Sequence, residues 1–336
     1  GLTKEWVISM FRYIVRRLIQ MIPLLNGVSI IVFLLGHLAP GDPVRMLLGE
    51  EATQEDVERL HAVYGFDQPL PVQYFRWFSR AIRGDLGVSI RQSIPVSKLI
   101  FERLGATVEL AVVSVFIAVL LGIPLGLFAS TRRGSIWDYI TMVISLLGVS
   151  MPGFWLGLVL LSYVALHVSW LPMFGRDVSI MTGLVTLVTK FRADDLINAF
   201  RFILLPALAL GTSMMAIIAR LTRSSMLEVL SKDYIRTAQA KGLKKSVVVV
   251  KHALRNALMP VITMVGIQFG AMLGGAVVTE TVFAWPGVGR LVINAITQRD
   301  FPLVQGGVLM MALIFTVVNL LVDVCYALVN PRIRYE

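Results

Sequence analysis

Six stretches of this chain contain no Asp, Glu, Lys or Arg, and their length constrains the fold more than any other feature. A helix crosses the roughly 30 Å hydrocarbon layer of a bilayer with about 20 residues. A membrane β-barrel would instead show strands of about 10 residues that alternate apolar and polar side chains. We therefore predict an all-α polytopic membrane protein with six transmembrane helices, at residues 18–38, 110–131, 139–166, 202–219, 256–279 and 301–322.

The composition agrees with a membrane protein, because 56% of the residues are hydrophobic and only 15% are charged. The net charge of +10 arises from basic residues near the two ends of the chain, from Arg132 and Arg133, and from residues 220–255. Basic residues favour the cytosolic side of a membrane, so we predict cytosolic N and C termini and a cytosolic loop at 220–255. Nucleic acid is not expected as a partner, since these basic residues lie along membrane borders rather than on one soluble face.

The chain divides into three predicted segments. Residues 1–39 hold the N-terminal cytosolic segment and the first transmembrane helix, residues 40–109 are extracytoplasmic, and residues 110–336 form the core with five transmembrane helices. The extracytoplasmic segment is too polar to enter lipid. We expect it to be folded, because its sequence contains helix signals.

Three short helices are predicted outside the spans. Thr53 and Asp56 have the spacing of a capping box before an amphipathic helix. The aromatic run at 73–78 predicts a second helix, suited to the headgroup interface or to a small extracytoplasmic cap. The apolar run at 178–189 is too short to span a bilayer, which favours a re-entrant or interfacial helix.

Small residues and prolines recur within the spans. Glycines spaced by four residues allow helix backbones to approach closely, although glycine is also common in membrane helices without that role. These glycines are Gly122 and Gly126, Gly153 and Gly157, and Gly266, Gly270 and Gly274. Prolines within or at the ends of spans predict either hinges or static kinks; they are Pro23, Pro124, Pro152, Pro206 and Pro260.

Motifs for catalysis are missing from the sequence. It contains no phosphate-binding loop of the G-x-x-x-x-G-K-[ST] type, no zinc-protease histidine motif and no G-x-S-x-G elbow, and it has a single cysteine. We expect that the chain is not an enzyme and holds no metal or cofactor. Glu109, Glu280 and Asp323 lie near span ends rather than at mid-membrane, which disfavours an ion relay. Asp323 is expected to pair with a basic or backbone group near the cytosolic border.

The most informative segment is residues 231–242, inside the predicted cytosolic loop. Ser231 is expected to cap a helix through residues 232–241, and Gly242 is expected to end it. On that helix Ile235, Thr237 and Ala238 could lie in the groove of a partner protein, with the basic side chains hydrated or facing acids. Binding of anionic lipid by a basic loop explains the same residues equally well.

Residues 236–242, with the pattern R-T-A-x-x-x-G, resemble the E-A-A-x-x-x-G loop of permeases of ATP-binding-cassette (ABC) importers. Arg236 departs from that pattern, and the later KHALRNALMP at 251–260 resembles the dipeptide, oligopeptide and nickel permease subfamily. Other matches to this subfamily occur in order along the chain: PGDP (40–43), YGFDQPLPVQYFRW (64–77), GDLGVS (84–89), LPALALG (205–211), RSSMLEVLSKDYIRTAQAKGL (223–243), ETVFAWPGVGRL (280–291), RDFPLVQG (299–306) and NPRIR (330–334).

This resemblance implies a type I ABC importer permease fold with an extracytoplasmic insertion after the first helix. It further implies a bacterial or archaeal cytoplasmic membrane, a second permease subunit, two ABC ATPase subunits, an extracytoplasmic solute-binding protein and a peptide substrate. Relatives with these motifs also import glutathione, nickel chelates or opines, and an ion-gradient-driven peptide carrier is a further alternative. The residues implied to couple to the ATPases are Ser231, Asp233, Tyr234, Ile235, Arg236, Thr237, Ala238, Ala240, Lys241 and Gly242; substrate-binding residues remain unassigned.

Overall fold

A computed structural model describes residues 2–38, 53–55, 58–59 and 67–329. The described part of the chain is helical and contains no β-strand, as predicted. The helices are α1 (Leu2–Leu38), α2 (Leu70–Ile82), α3 (Val96–Thr131), α4 (Ile136–Ser150), α5 (Gly153–Val159), a π-helical segment π1 (Leu160–Ala165), α6 (Ile180–Lys190), α7 (Asp194–Leu230), α8 (Asp233–Ala240), α9 (Lys245–Val247), a second π-helical segment π2 (Val248–Leu254), α10 (Arg255–Val282), α11 (Val288–Thr297) and α12 (Phe301–Val329).

Five helical stretches are long and apolar enough to cross a membrane, and a bent pair makes up to six. The prediction of an all-helical polytopic protein is therefore confirmed. The third predicted span was wrong in one respect, because residues 139–166 do not form one continuous helix. They form α4 followed by α5 and π1, with a bend of 106° between the two parts.

Pro152 explains this bend. Met151 and Pro152 both have extended backbone, with ψ angles of 127° and 133°. Proline disfavours helical backbone at the residue before it and has no N–H to donate, so α4 ends at Ser150. The other four span prolines of the sequence analysis do not interrupt their helices: Pro23 lies inside α1, Pro124 inside α3, Pro206 inside α7 and Pro260 inside α10.

Two compact units divide the chain: residues 1–105 with 287–336, and residues 106–286. In the first unit α1 packs along α12, and Arg17 forms a salt bridge of 2.9 Å with Asp323. Asp323 thus has the basic partner that the sequence predicted. The three predicted chain segments, which are divided at residues 39 and 109, stay predictions.

The aromatic helix predicted at 73–78 is confirmed as part of α2. Its Tyr74 hydroxyl is 2.8 Å from the Ser29 hydroxyl on α1, and the ring of Phe33 lies edge-on to the ring of Tyr74. Helix α2 therefore packs on the first span. The capping pair predicted upstream, Thr53 and Asp56, includes Asp56, which lies outside the described residues.

Two sequence motifs of the first unit meet at a buried carboxylate. Asp300 is 1% exposed and accepts hydrogen bonds from the Ser89 hydroxyl and from the backbone N–H groups of Ile90 and Leu303. Ser89 ends the GDLGVS motif, and Asp300 lies in RDFPLVQG. The Asp300 carboxylate and the Gln298 carbonyl oxygen, which accepts from Arg91 Nε at 3.1 Å, thus hold this loop to the connection before α12.

The second unit is built around α7, which packs against α4, α5, α6 and α10. Two predicted close approaches are confirmed on α3: a Cβ added to Gly122 would lie 2.8 Å from the Met215 carbonyl oxygen, and one added to Gly126 would lie 2.7 Å from Thr222 Cβ. Gly274 differs, because nothing lies within 4 Å of such an atom. The glycine pattern therefore marks a tight contact between α3 and α7, but not one at Gly274.

At the end of the second unit away from α8, side chains tie α6 and the end of α10 to α3. Glu109 forms an ion pair with Arg176 and accepts a hydrogen bond from the Ile180 backbone N–H at 2.7 Å. Thr107 donates to the buried Glu280 at 2.6 Å. The apolar run at 178–189 is confirmed as a short helix, while its re-entrant or interfacial position stays a prediction.

Candidate coupling site

The short helix α8 occupies the centre of the segment that the sequence singled out. It ends at Ala240, and Gly242 follows with a φ of +74°, a left-handed conformation that other residues adopt only with strain. The Gly242 N–H donates to the Gln239 carbonyl oxygen at 2.9 Å. The prediction that Gly242 ends this helix is confirmed.

Ser231 does not cap α8, contrary to the prediction. Its backbone is helical, with φ −83° and ψ −9°, and its hydroxyl donates to the Glu228 carbonyl oxygen at 2.7 Å. An N-cap residue needs non-helical backbone, which Lys232 has instead. Ser231 therefore ends α7, and α8 begins without a side-chain cap.

Ile235 does not lie in a groove of a partner, because it is fully buried within this chain. It packs in a cluster whose other buried members are Met226 on α7, Val248 and Ala253 on π2, and Ala257 on α10. Ala238 is half-buried at the margin of the same cluster. Ile235 is the one large aliphatic side chain on this helix of eight residues. Its burial therefore holds α8 against the rest of the protein.

The rest of α8 is exposed. Tyr234 is 44% exposed, and its hydroxyl accepts a hydrogen bond of 2.8 Å from the Asn256 side chain. Arg236 and Asp233 form a weak ion pair of 3.6 Å at the surface. The exposed residues of this face are Asp233, Tyr234, Arg236, Thr237, Gln239, Ala240 and Lys241.

Helices flank α8 closely on both sides. The predicted loop at 220–255 is mostly helical, because α7 continues to Leu230 and helical backbone resumes at Lys245. Only residues 231–244 lie between these helices, and α8 fills most of them. Because α9, π2 and α10 follow one another without a break, α8 is joined by short connections to two long helices.

Sequence reasoning missed an ion pair near this site. Arg223 on α7 donates to both carboxylate oxygens of Asp138 on α4, at 2.6 and 2.8 Å, and the Gly134 N–H donates to the same carboxylate. Asp138 was assigned to the connection before a span that seemed to begin at Tyr139, and its partner lies 85 residues away. The one local signal was Ser135, which caps α4 at the Asp138 N–H.

A cavity of about 250 Å³ lies beside the bend of the third span. Its lining includes Gly153 and Phe154 from α5, Thr212 and Ser213 from α7, and Thr279 from α10. Met214, the next residue on α7, does not line this cavity; it is buried in a core cluster with Ala118 and Ile218.

Comparison with known families places the chain. Residues 122–335 match the model of the binding-protein-dependent transport system inner membrane component, and residues 10–111 match the N-terminal model of such membrane components. The chain belongs to this family of transport permeases. The ABC importer permease identity that the motifs indicated is confirmed.

Individual relatives agree over the whole length. The dipeptide transport system permease protein DppB of Alkalihalophilus pseudofirmus is 44% identical over 333 residues, covering 97% of this chain and all of the relative. The glutathione transport system permease protein GsiC of Escherichia coli is 41% identical over 327 residues, with the same coverage. The structure of the inward-facing MetNI methionine ABC transporter matches with a TM-score of 0.50 at 17% identity, covering 69% of this chain and 96% of that chain, and this supports the importer permease fold.

Proposed function

We propose that this protein forms the translocation pathway of an ATP-driven importer of di- or oligopeptides, in the cytoplasmic membrane of a bacterium or archaeon. It pairs with a second permease, two ABC ATPase subunits dock on the pair, and an extracytoplasmic solute-binding protein delivers the cargo. The identity of 44% to a dipeptide permease along almost the whole chain supports this proposal most strongly.

The docking surface for one ATPase subunit is α8 with its two ends. Ser231 precedes α8, Lys241 and Gly242 follow it, and the buried Ile235 anchors it to this chain. The exposed side chains of Asp233, Tyr234, Arg236, Thr237 and Ala240, together with the half-buried Ala238, face the partner. Because the apolar side of α8 is buried in this chain, the partner would contact its polar side, where complementary charges would select the partner.

Movement of the ATPases would reach the spans through α8. When ATP binding closes the two ATPase subunits, α8 moves with them, and the buried cluster around Ile235 transfers that displacement to α7 and π2. Such rigid-body motion of packed helices is a common way to alternate between two states. The exposed position of α8 between two long helices is the observation that carries this mechanism.

Substitution of Gly242 tests the role of α8. Gly242→Pro cannot adopt a φ of +74° and loses the N–H that bonds Gln239. In reconstituted vesicles that contain both permeases, the ATPases and the binding protein, we expect ATP hydrolysis to continue while peptide uptake is lost. Gly242→Asn is the matched control, because Asn tolerates left-handed backbone and should retain uptake.

A second substitution tests the seat of α8 at its half-buried margin. Ala238→Glu places a bulky charge beside the Ile235 cluster and should uncouple hydrolysis from uptake in the same way. Normal uptake and normal stimulation of hydrolysis in both Gly242→Pro and Ala238→Glu would contradict the docking role and leave anionic lipid as the ligand of this basic segment. Uptake that is driven by an ion gradient without the ATPases would show a secondary carrier instead.

For the cargo, the glutathione permease relative at 41% identity favours glutathione as the alternative to peptides. Nickel chelates and opines are further cargoes of importers with these motifs. Calorimetric titration of the cognate binding protein with a dipeptide, a longer peptide, glutathione and a nickel chelate decides among them. Tight binding of glutathione alone would replace the peptide assignment without changing the rest of the mechanism.

A further inference from the structure

We propose that Asp138 and Arg223 are positioning residues that make α4 and α7 move as one body, so that displacement of α8 reaches the bend at Pro152. This inference rests on the proposed function. It adds a path for the motion within the permease that neither the sequence motifs nor the relatives assign.

The ion pair between Asp138 and Arg223 holds α4 and α7 in a fixed relative position. Arg223 uses two guanidinium nitrogens on the two oxygens of one carboxylate, and two parallel hydrogen bonds restrict rotation as well as separation. The Asp138 side chain is only 3% exposed, and its carboxylate is held by the Gly134 N–H as well. By contrast, the surface pair of Arg192 and Asp194 leaves both side chains more than two-thirds exposed.

The pair lies one helical turn from the seat of α8. Arg223 and Met226 are three residues apart on α7, so their side chains leave neighbouring positions of the helix. Met226 is fully buried against Ile235 of α8. A push on α8 therefore acts on α7 within one turn of the point where α7 is joined to α4.

A second close contact between α4 and α7 lies near the end of α4. A Cβ added to Gly148 would lie 3.1 Å from Ala216 Cβ and 3.4 Å from Thr212 Cγ2 on α7. Both ends of α4 are thus fixed to α7, by the ion pair at one end and by this glycine contact at the other. The bend at Met151 and Pro152 follows directly, and the cavity lined by Thr212 and Gly153 opens beside it.

Motion of this body would change the bend rather than the contact between α4 and α7. Interiors that are packed closely transmit displacement because they deform little. The Met151 N–H bonds back to Leu147, and the Pro152 carbonyl oxygen accepts from Leu156, so each residue bonds to its own helix. Helix α5 also packs on α7, but more loosely, since a Cβ on Gly153 would lie 3.4 Å from the Ala209 carbonyl oxygen. The angle between α4 and α5 is therefore the part of the third span that yields most easily. The cavity beside the break would then change shape as α8 moves.

Neutralising the carboxylate is the first test, in the complete reconstituted transporter. Asp138→Asn removes the charge that orients Arg223, and we expect the number of peptides moved per ATP hydrolysed to fall about tenfold, the size of a lost coupling between neighbouring groups. An unchanged ratio per assembled complex would overturn the proposal. The ratio is the informative quantity, because a purely structural role would lower the amount of complex and leave the ratio intact.

A reversible cross-link is the second test, and it decides the matter if Asp138→Asn does not assemble. The chain has one cysteine, so Asp138→Cys with Arg223→Cys is made in a Cys325→Ala background. A short bis-methanethiosulfonate that joins the two thiols should restore the ratio, and reduction should lower it again. A cross-linked complex that hydrolyses ATP without moving peptide would show that α4 and α7 must separate, which overturns the proposal.

Asp194→Asn is the matched control, since it removes an exposed ion pair on the same helix α7 and should leave the ratio unchanged. The wild-type complex tells failure of the ion-pair role from failure of the proposed function. If the wild type moves no peptide with ATP, the proposed function fails. If the wild type couples hydrolysis to uptake and neither Asp138 variant changes the number of peptides moved per ATP, only the proposed role of the ion pair fails.

Discussion

The two helical connections of α8 differ in kind. Toward α7 the backbone is regular α-helix up to Leu230, the neighbouring helices approach at Gly126 and Gly148, and Arg223 is joined to Asp138. Toward α10 the backbone passes through the π-helical segment π2. On that side Val250 is 56% exposed, and a Cβ at Gly274 would meet nothing within 4 Å.

This difference teaches how one short helix can act on two spans unequally. A π-helical turn holds an extra residue and frequently occurs at functional sites. We expect π2 to shift its register more easily than the regular helix α7. The α7 side is a tightly packed helix that is joined to a second helix. We therefore expect displacement of α8 to be transmitted firmly to α7 and α4 and to be absorbed in part by π2.

Single-residue deletions should produce the largest contrast between the two sides. Deleting Ser224 from α7 rotates Arg223 by about 100° relative to Met226, so the ion pair and the seat of Ile235 cannot both form. Deleting Val250 from π2 removes an exposed residue and lets the segment become α-helical. We expect the deletion of Ser224 to abolish uptake in reconstituted vesicles. We expect the deletion of Val250 to reduce uptake by less than about tenfold, because π2 becomes α-helical and the register of α7 is unchanged. Equal loss from both deletions would remove the contrast.

Truncation of Ile235 should have the next largest effect, since this side chain joins α8 to both sides. Ile235→Ala leaves a cavity in a fully buried cluster and should destabilise that part of the protein by about 2–5 kcal/mol. Thermal unfolding of the two purified permeases, without the ATPases, measures the change. Thr237→Ala, at an exposed position of the same helix, should change stability by less than about 0.5 kcal/mol. A similar shift for both variants would show that Ile235 does not seat α8.

The glycines offer a smaller, matched comparison. Gly126→Ala forces a methyl group against Ala219 and Thr222 on α7 and should cost about 1–3 kcal/mol. Gly274→Ala enters open space on α10 and should be neutral or slightly stabilising, because alanine favours helix. Resistance of the two variants to heat, measured side by side, checks the difference. Equal melting temperatures would mean that α7 is no more tightly packed than α10.

The smallest effect is expected at the hydrogen bond between Tyr234 and Asn256, which links α8 directly to α10. Both side chains are exposed, so Tyr234→Phe, which removes only the hydroxyl and keeps the ring, should cost at most about 1 kcal/mol of stability. The same thermal scan, on the two permeases without the ATPases, measures the change. A loss greater than that of Ile235→Ala would make the α10 side the firmer connection and reverse the comparison.

Local features of the fold and of the site were predictable because each depends on neighbouring residues. Uncharged runs identify the spans, and Gly242 ends α8 because only a residue that tolerates positive φ continues the chain there. The break at Pro152 was foreseen as a possible hinge, but a proline gives no angle by itself. Pro124 and Pro206 have the same chemistry and lie in unbroken helices.

The contacts that join distant residues could not be predicted from local patterns. Ile235 on a polar, basic helix was compatible with a partner's groove or with this chain's own core, and only its burial beside Met226 and Val248 decides between them. Asp138 likewise had the character of a residue in a polar connection until Arg223 was found beside it.

The amino-acid sequence by itself determined the membrane class, the family and the place of the short helix, since hydropathy, motif order and a glycine stop are written along the chain. Tertiary structure alone decided that α8 rests on Ile235, that the third span bends at Pro152 and that α4 is joined to α7. Those properties arise because burial and charge pairing depend on which residues meet in space, and 85 positions of sequence separate the two partners of the ion pair.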